Sequence, residues 1–251
     1  MLTPIAVPDV AIEAIRDLVR VREDARLDRT RCRHRLSKFC LRHGRRLPTQ
    51  GWTQERRRWL GQQQFGHPAQ QRAFDDYVET ADLADRRIER LEVDLFEYAK
   101  HPALKDLIAR LRCIRGINTL SALVIVAECG DLGRFRSAQA FMSYSGLVPS
   151  ENSSGESRHQ GKITKAGNQH LRRILIEAAW NNRRAPRISV ELAARHAGQD
   201  PRVVQHAMRC QRRLSKRWTR MTMRNKSSQT TVTAVAREMC GFIWAIANER
   251  V

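Results

Sequence analysis

Phe74, Ala81, Ile88 and Leu95 recur every seven residues, and so do Tyr77, Ala84, Leu91 and Tyr98. Interleaved, the two series make an unbroken a/d pattern from Phe74 to Tyr98, flanked by charges such as Asp85, Arg87, Glu89 and Glu92. A strand alternates its faces every second residue and cannot hold such a pattern. A strict seven-residue repeat predicts a long helix that supercoils against another, within the chain or between two chains. Small and aromatic residues on the seam weaken it as a free-standing zipper, and a single amphipathic helix packed on its own domain fits the repeat equally well. His101-Pro102 closes the run, because the residue before a proline is pushed out of the helical region.

Helical periodicity dominates the rest of the chain. Ile12, Ile15, Leu18 and Val19, and later Leu36, Phe39 and Cys40, predict one or two helices over residues 9–43, with Asp9 as cap. Gly44 to Gly51, with Pro48 inside, reads as a connector. Leu107–Cys113 and Thr119–Cys129 are predicted helices around the tight turn Arg115-Gly116-Ile117-Asn118, the second stopped by Gly130. Phe135–Ser145 is a third, capped by Ser137 and stopped by Gly146. Asn168 caps a helix whose apolar face is Leu171, Ile174, Leu175, Ala178 and Ala179, and a last helix carries Val232, Val235, Ala236, Met239, Ile243 and Ile246. Strand alternation longer than a few residues is absent. The expected fold is mainly α: a helical linker over 1–52, a coiled-coil helix region over 53–104, and a helical domain with a helix-hairpin-helix over 105–251.

Charge narrows the partner. Lys and Arg number 46 against 26 Asp and Glu, a net +20, with arginine clustered at 56–58, 86–87, 172–173, 183–184 and 212–213. Planar guanidinium groups suit phosphates, and an excess of this size predicts a nucleic-acid partner. Six cysteines are scattered without a CxxC pair, which argues against zinc or a disulfide framework and for small buried hydrophobes in a reduced, cytoplasmic protein. The longest apolar run, Leu120 to Ala127, includes Ser121 and is too short for a bilayer, so no membrane partner is expected.

Two segments carry candidate chemistry. In the hairpin, the backbone N–H groups of Gly116, Ile117 and Asn118 and the following helix N-terminus suit a phosphate. The usual form of this turn has a second glycine where Asn118 stands, and asparagine tolerates a left-handed backbone better than most residues. An ordinary αα turn explains the same residues. The second segment, "SENSSGESRHQGKITKAGNQHLRR" from Ser150 to Arg173, is almost free of large apolar side chains. Lys162, Thr164, Lys165, Asn168, Arg172 and Arg173 suit one or two phosphates, and a nearby hydroxyl would have cations to stabilise charge as it attacked a phosphodiester.

"IRGINTLSALVIVAECGDLGRFRSAQAFMSYSGLVPSENSSGESRHQGKITKAGNQHLRRILIEAAW" resembles the transposase domain of the bacterial insertion-sequence family numbered one hundred and ten, with its relatives one-sixteen and nine-hundred-and-two. The landmarks agree in order: "RGI", "AECGDLGRF", "YSGLVP", "SSG", "G-ITKAGN" and "LRRILIEAAW", then "TAVAREMCGFIWAI" near the end. The resemblance implies a DNA transposase, guided in studied members by an element-encoded RNA. It implies a RuvC-like domain with four metal-binding carboxylates and, in the domain seen here, a serine nucleophile. The "SG" motif assigns that role to Ser154, with Ser153 its rival. Asp82-Leu83-Ala84-Asp85 has the DxxD spacing of the family's last two acids but sits in the heptad helix, so it reads as a surface charge pair. No metal ligand or cofactor is therefore expected on this chain. Magnesium is expected only with the missing N-terminal domain, and this chain alone is expected to cleave DNA poorly or not at all. The implied partners are DNA, a guide RNA and a second copy of the chain through Phe74 to Tyr98. The alternative is a non-catalytic DNA- or RNA-binding remnant, or a regulator of an intact transposase.

Overall fold

The seven-residue repeat forms one helix, and its partner lies in the same chain. The computed structural model describes residues 9–49, 51–151 and 160–251, and among these are ten α-helices and one two-stranded sheet. The mainly α architecture is as the periodicity predicts. Packing groups the described residues into two units, those of Leu18–Asp94 and those of Met1–Asp17 together with Leu95–Val251. The reason is that helices distant in sequence pair with each other.

In the unit Leu18–Asp94, α1 (Val10–Arg42) and α3 (Pro68–Tyr98) run antiparallel, joined over α2 (Gln54–Gly61). Their ion pairs give the register: Arg22 with Glu92, Asp28 with Arg87 at 3.3 Å, and Arg33 with Asp85 at 2.5 Å. On α3 the series Phe74, Ala81 and Ile88 is buried, and on α1 Ala25, Cys32 and Phe39 are buried at the same seven-residue interval. The Phe74, Ala81 and Ile88 series of the seam is thus covered within the chain, whereas Tyr98 of the second series is exposed. At the far end, Leu36, Phe39, Cys40, Leu60, Phe74 and Ala81 form a core, with Phe65 edge-on to Phe39 at 5.3 Å.

The DxxD pair departs from the expected surface reading. Asp82 is partly exposed, but Asp85 is buried, and its carboxylate meets Arg33, Arg57 at 2.8 Å and Arg29 at 3.7 Å. A buried carboxylate is costly without cations around it, and three arginines from two elements supply them.

The second unit is built on α5 (Thr119–Cys129), whose residues from Ser121 onward are all buried. It packs against α4 (Pro102–Leu111) and α7 (Gln169–Ala179). A last helix, α10 (Ser228–Ala247), packs on α4, α6 (Ala138–Tyr144), α7 and α9 (Pro201–Met223). Pro102 starts α4 at its first turn, where a missing N–H costs nothing. Ser137 and Asn168 cap α6 and α7 as predicted. The ribbon β1 (Pro149–Glu151) and β2 (Gln160–Ile163) was hidden, because strands this short show no alternation. So was α9, where Val203, Ala207, Cys210, Leu214 and Trp218 hold a helical period among many cations.

All six cysteines are buried and free, and burial raises the Cys129 and Cys210 thiols and pushes Cys240 up to about 12. Among the described residues no helix is long and apolar enough to cross a membrane.

Two measurements test these contacts. Asp85→Ala removes the acid shared by three arginines, of which Arg57 keeps Asp82, and should lower unfolding stability by about 1–3 kcal/mol in a chemical denaturation, discounted because the arginines are partly solvated. His206 is buried on α9 against the Phe242 carbonyl, and loss of hydration lowers its pKa below the ordinary 6.5, Arg209 adding to the effect. The unfolded chain then takes up the proton first. Stability is unaffected by this group above about pH 7 and falls as pH drops through 6.5. His206→Gln should flatten that fall.

Candidate functional site

Glu128 sits at the end of an apolar helix with no exposed surface. A carboxylate there requires hydrogen bonds, and Asn168 Nδ2 donates one to Glu128 Oε2 at 2.7 Å. The same asparagine caps α7 by accepting from Leu171 N at 2.9 Å, and its own N–H donates to the Tyr144 carbonyl at 2.9 Å. Tyr144 in turn donates its hydroxyl to the Glu128 carbonyl at 3.0 Å. The ends of α5 and α6 and the start of α7 are therefore bound at one joint.

Two glycines let the backbones meet there. Gly146 has φ +67, and a Cβ on it would lie 2.5 Å from the Ala166 carbonyl oxygen. Gly167 has φ +114, and a Cβ there would lie 3.0 Å from the Tyr144 carbonyl carbon. Lys165 also adopts a left-handed φ of 55, and its N–H donates to Gly146 O at 3.2 Å. Motifs "YSGL" and "TKAGN" are thus two halves of one backbone interlock.

Above this joint lies the ribbon. Pro149 pairs with Ile163 and Glu151 with Gln160, so the ribbon ties the chain on both sides of 152–159, and Ser150 Oγ donates to Lys162 O at 3.1 Å. Ser154 and its rival Ser153 lie outside the described residues. Lys162, Thr164 and Lys165 are exposed beside the α7 N-terminus. The two arginines expected to join them are engaged elsewhere. Arg172 Nη1 donates to Ser145 O at 3.1 Å and Lys165 O at 3.2 Å, and Arg173 pairs with Glu177 at 2.8 Å. Arg172 thus clamps the interlock.

The hairpin residues are in another place. Gly116, at φ +93, leaves no room for a Cβ against the Ala178 carbonyl at the C-terminal end of α7. Ile117 is buried, and Arg195 Nη1 donates to its carbonyl at 3.0 Å. Asn118 is exposed but not left-handed: at φ −101 it is the cap of α5, locked in a reciprocal capping box with Ser121. An extended cap accounts for asparagine where a second glycine was expected. Gly116 to Asn118 and Asn168 therefore lie at opposite ends of an eleven-residue helix, about 16 Å long. The two predicted sets of phosphate ligands are not one site.

The magnesium implied by the family resemblance needs converging carboxylates. Asp82 and Asp85 are bonded to arginines and Glu128 to Asn168. Among the described residues, no three His, Cys, Asp or Glu side chains converge. These residues do not fit a magnesium site.

Sequence reasoning passed over Glu128, Tyr144, Gly146 and Gly167 as site-building residues. The signal was present in Glu128, a carboxylate inside the apolar run "LSALVIVAEC".

Residues 108–194 match the family described as "Transposase IS116/IS110/IS902 family". The chain is 40% identical over 249 residues to the putative transposase y4qE of Sinorhizobium fredii, covering 99% of this chain and 60% of that protein. It is 29% identical over 217 residues to the transposase for insertion sequence element IS1533 of Leptospira borgpetersenii, covering 85% and 63% respectively. A probable family 20 transposase of Pseudomonas aeruginosa is 34% identical over 108 residues, 43% of this chain and 30% of that one. The chain thus spans about three fifths of the length of the first two relatives.

Paired glycine substitutions test the interlock. Gly167→Ala meets both a left-handed φ and the Tyr144 carbonyl, and should cost about 2–4 kcal/mol. Gly198→Ala also has a positive φ, +74 rather than +114, but open space around it, and should cost only about 1 kcal/mol. Equal losses in chemical denaturation would mean that the contact with Tyr144 contributes nothing.

Proposed function

This chain belongs to the IS116/IS110/IS902 transposase family through residues 108–194, and on that premise we propose that it binds DNA and supplies Ser154 as the nucleophile for strand cleavage and exchange in DNA-mediated transposition. What supports the reading is the ribbon that ties both ends of the serine segment beside Lys162 and Lys165, on a joint anchored by Glu128 and Asn168. A nucleophile must be held to a fraction of an ångström, and a backbone interlock below its loop supplies a rigid base.

In the proposed step, Ser154 Oγ attacks a backbone phosphorus. The new P–Oγ bond forms as the P–O bond to one side of the DNA strand breaks, and the departing oxygen takes up a proton while the serine gives up its own. The phosphoserine link keeps the energy of a phosphodiester, so the hydroxyl of another strand end can displace the serine and complete the exchange. Lys162 and Lys165 stabilise the charge that grows on the phosphoryl oxygens. An element-encoded guide RNA and a second copy of the chain belong to the same proposal. Since the Phe74, Ala81 and Ile88 seam is filled by α1, a second copy would use the outward face of α3, where Leu83 and Val93 are exposed.

The test is a covalent adduct. The chain is incubated with duplex DNA and Mg²⁺, alone and with the unmatched part of the 40%-identical relative added in trans, then denatured and run on a gel. An adduct with the native chain and with Ser153→Ala, but none with Ser154→Ala, is the expected result. DNA binding without an adduct in any combination would favour a non-catalytic binding protein or regulator instead.

A further inference from the structure

The exposed cations of α9 form a surface that the serine-bearing joint does not use. From Pro201 to Arg237 the chain contains no Asp or Glu. Arg209, Arg212, Lys216 and Arg220 are exposed on α9 and make no ion pair among the described residues, whereas Arg213 and Arg217 share Glu238 from α10. Arg209 to Arg220 spans about 16 Å of helix.

A second row of cations lies alongside. The segment that follows α7 and a 3-10 turn (Trp180–Arg183), from Arg184 to Ile188, has no regular structure and is bonded to α9 by two buried polar side chains. Ser215 Oγ donates to Arg184 O at 3.1 Å, and Gln211 Nε2 donates to Arg187 O at 2.8 Å. These bonds lie one helical turn apart and hold Arg183, Arg184 and Arg187, all exposed, beside the helix. Arg115 of the hairpin joins the row, donating to Ala185 O at 2.8 Å. Burial lowers its pKa, and the charge of Arg184 lowers it further. Like charges have been brought together here with no acid among them, at a cost in repulsion that an anionic partner would relieve.

We infer that α9 and the segment Arg183–Arg187 form a ledge that binds the sugar-phosphate backbone of duplex DNA without reading its sequence. The inference rests on the DNA-binding part of the reading above and adds the surface that does the binding. Arginine grips phosphate oxygens in pairs. Single-stranded nucleic acid calls for exposed aromatic rings on which bases stack, and the ledge offers none. Trp218 is buried, with Trp180 5.4 Å away, and the large exposed apolar residues nearby are Ile188, Val190 and Met223. A duplex presents about one negative charge per 1.7 Å of axis, ample for two rows of cations.

The ledge is tested with the triple variant Arg187→Ala/Arg212→Ala/Lys216→Ala, whose sites are exposed and whose circular dichroism should match the native chain. Lys38→Ala/Arg72→Ala/Arg90→Ala removes equal charge from exposed positions of the other unit and serves as control. Binding of a labelled duplex of about thirty base pairs is followed across a salt series, with duplex RNA of the same sequence in parallel. The ledge variant should bind DNA roughly ten- to a hundredfold more weakly, with a log–log salt slope shallower by about 2.7, while the control changes less than about threefold. Native affinity and slope in the ledge variant, or an equal loss in the control, would overturn the ledge and leave DNA binding standing. Failure of the native chain to bind any duplex DNA would overturn both. Loss confined to duplex RNA would overturn the assignment of DNA as the occupant.

Discussion

A carboxylate with no access to water organises the larger unit. Glu128 lies at the end of a helix buried from Ser121 onward, and its need for a hydrogen-bond partner has to be met from inside. Asn168 meets it, and in doing so brings the start of α7 onto the end of α5 and under the Tyr144 carbonyl. Each of these bonds fixes the place of another: the asparagine that satisfies the acid also caps α7, and the tyrosine whose carbonyl it binds returns a hydroxyl to the Glu128 backbone. Gly146 and Gly167 are small because two backbones pass within contact at this point. The β1–β2 ribbon rises from that joint, so its placing depends on a buried acid.

The antiparallel pairing of α5 and α7 has a second consequence. The hairpin is placed at the C-terminal end of α7 and the ribbon at its N-terminal end, and the hairpin's glycine is used for packing against Ala178. On the proposed reading, chemistry and backbone binding then belong to different ends of the unit. Arg115 and the ledge hold the duplex at one, and Lys162, Lys165 and the serine segment act at the other. Binding energy gathered away from the reacting bond is what positions a strand for attack.

Much of this was legible beforehand, and the reasons differ by element. The α3 repeat was clear because seven-residue spacing persists over many turns, and Asn168 and Ser137 were clear because capping is a local interaction. The ribbon was hidden because three or four residues carry no periodicity. The α9 helix was hidden by its cations, which crowd 23 residues whose buried apolar face is only five side chains. Asp85 was misjudged as surface since its burial depends on Arg29, Arg33 and Arg57, which come from two other elements. The cation set around the polar segment was legible by composition but not by availability: Arg172 and Arg173 carry the right charge, yet one clamps backbone carbonyls and the other pairs with Glu177.

By itself the sequence determined helix positions and caps, the excess of positive charge and the order of the family's motifs, because each of these is written in residues near one another. The tertiary structure decided which helices pair, which carboxylates are spent on arginine or asparagine, which arginines are engaged by carbonyls or acids, and that the hairpin and Asn168 stand at opposite ends of α7. Those outcomes depend on contacts between residues tens of positions distant, such as Glu128 with Asn168 and Asp85 with Arg33. A local pattern states what a side chain is, but burial and partners, which the packed chain alone supplies, set what it does.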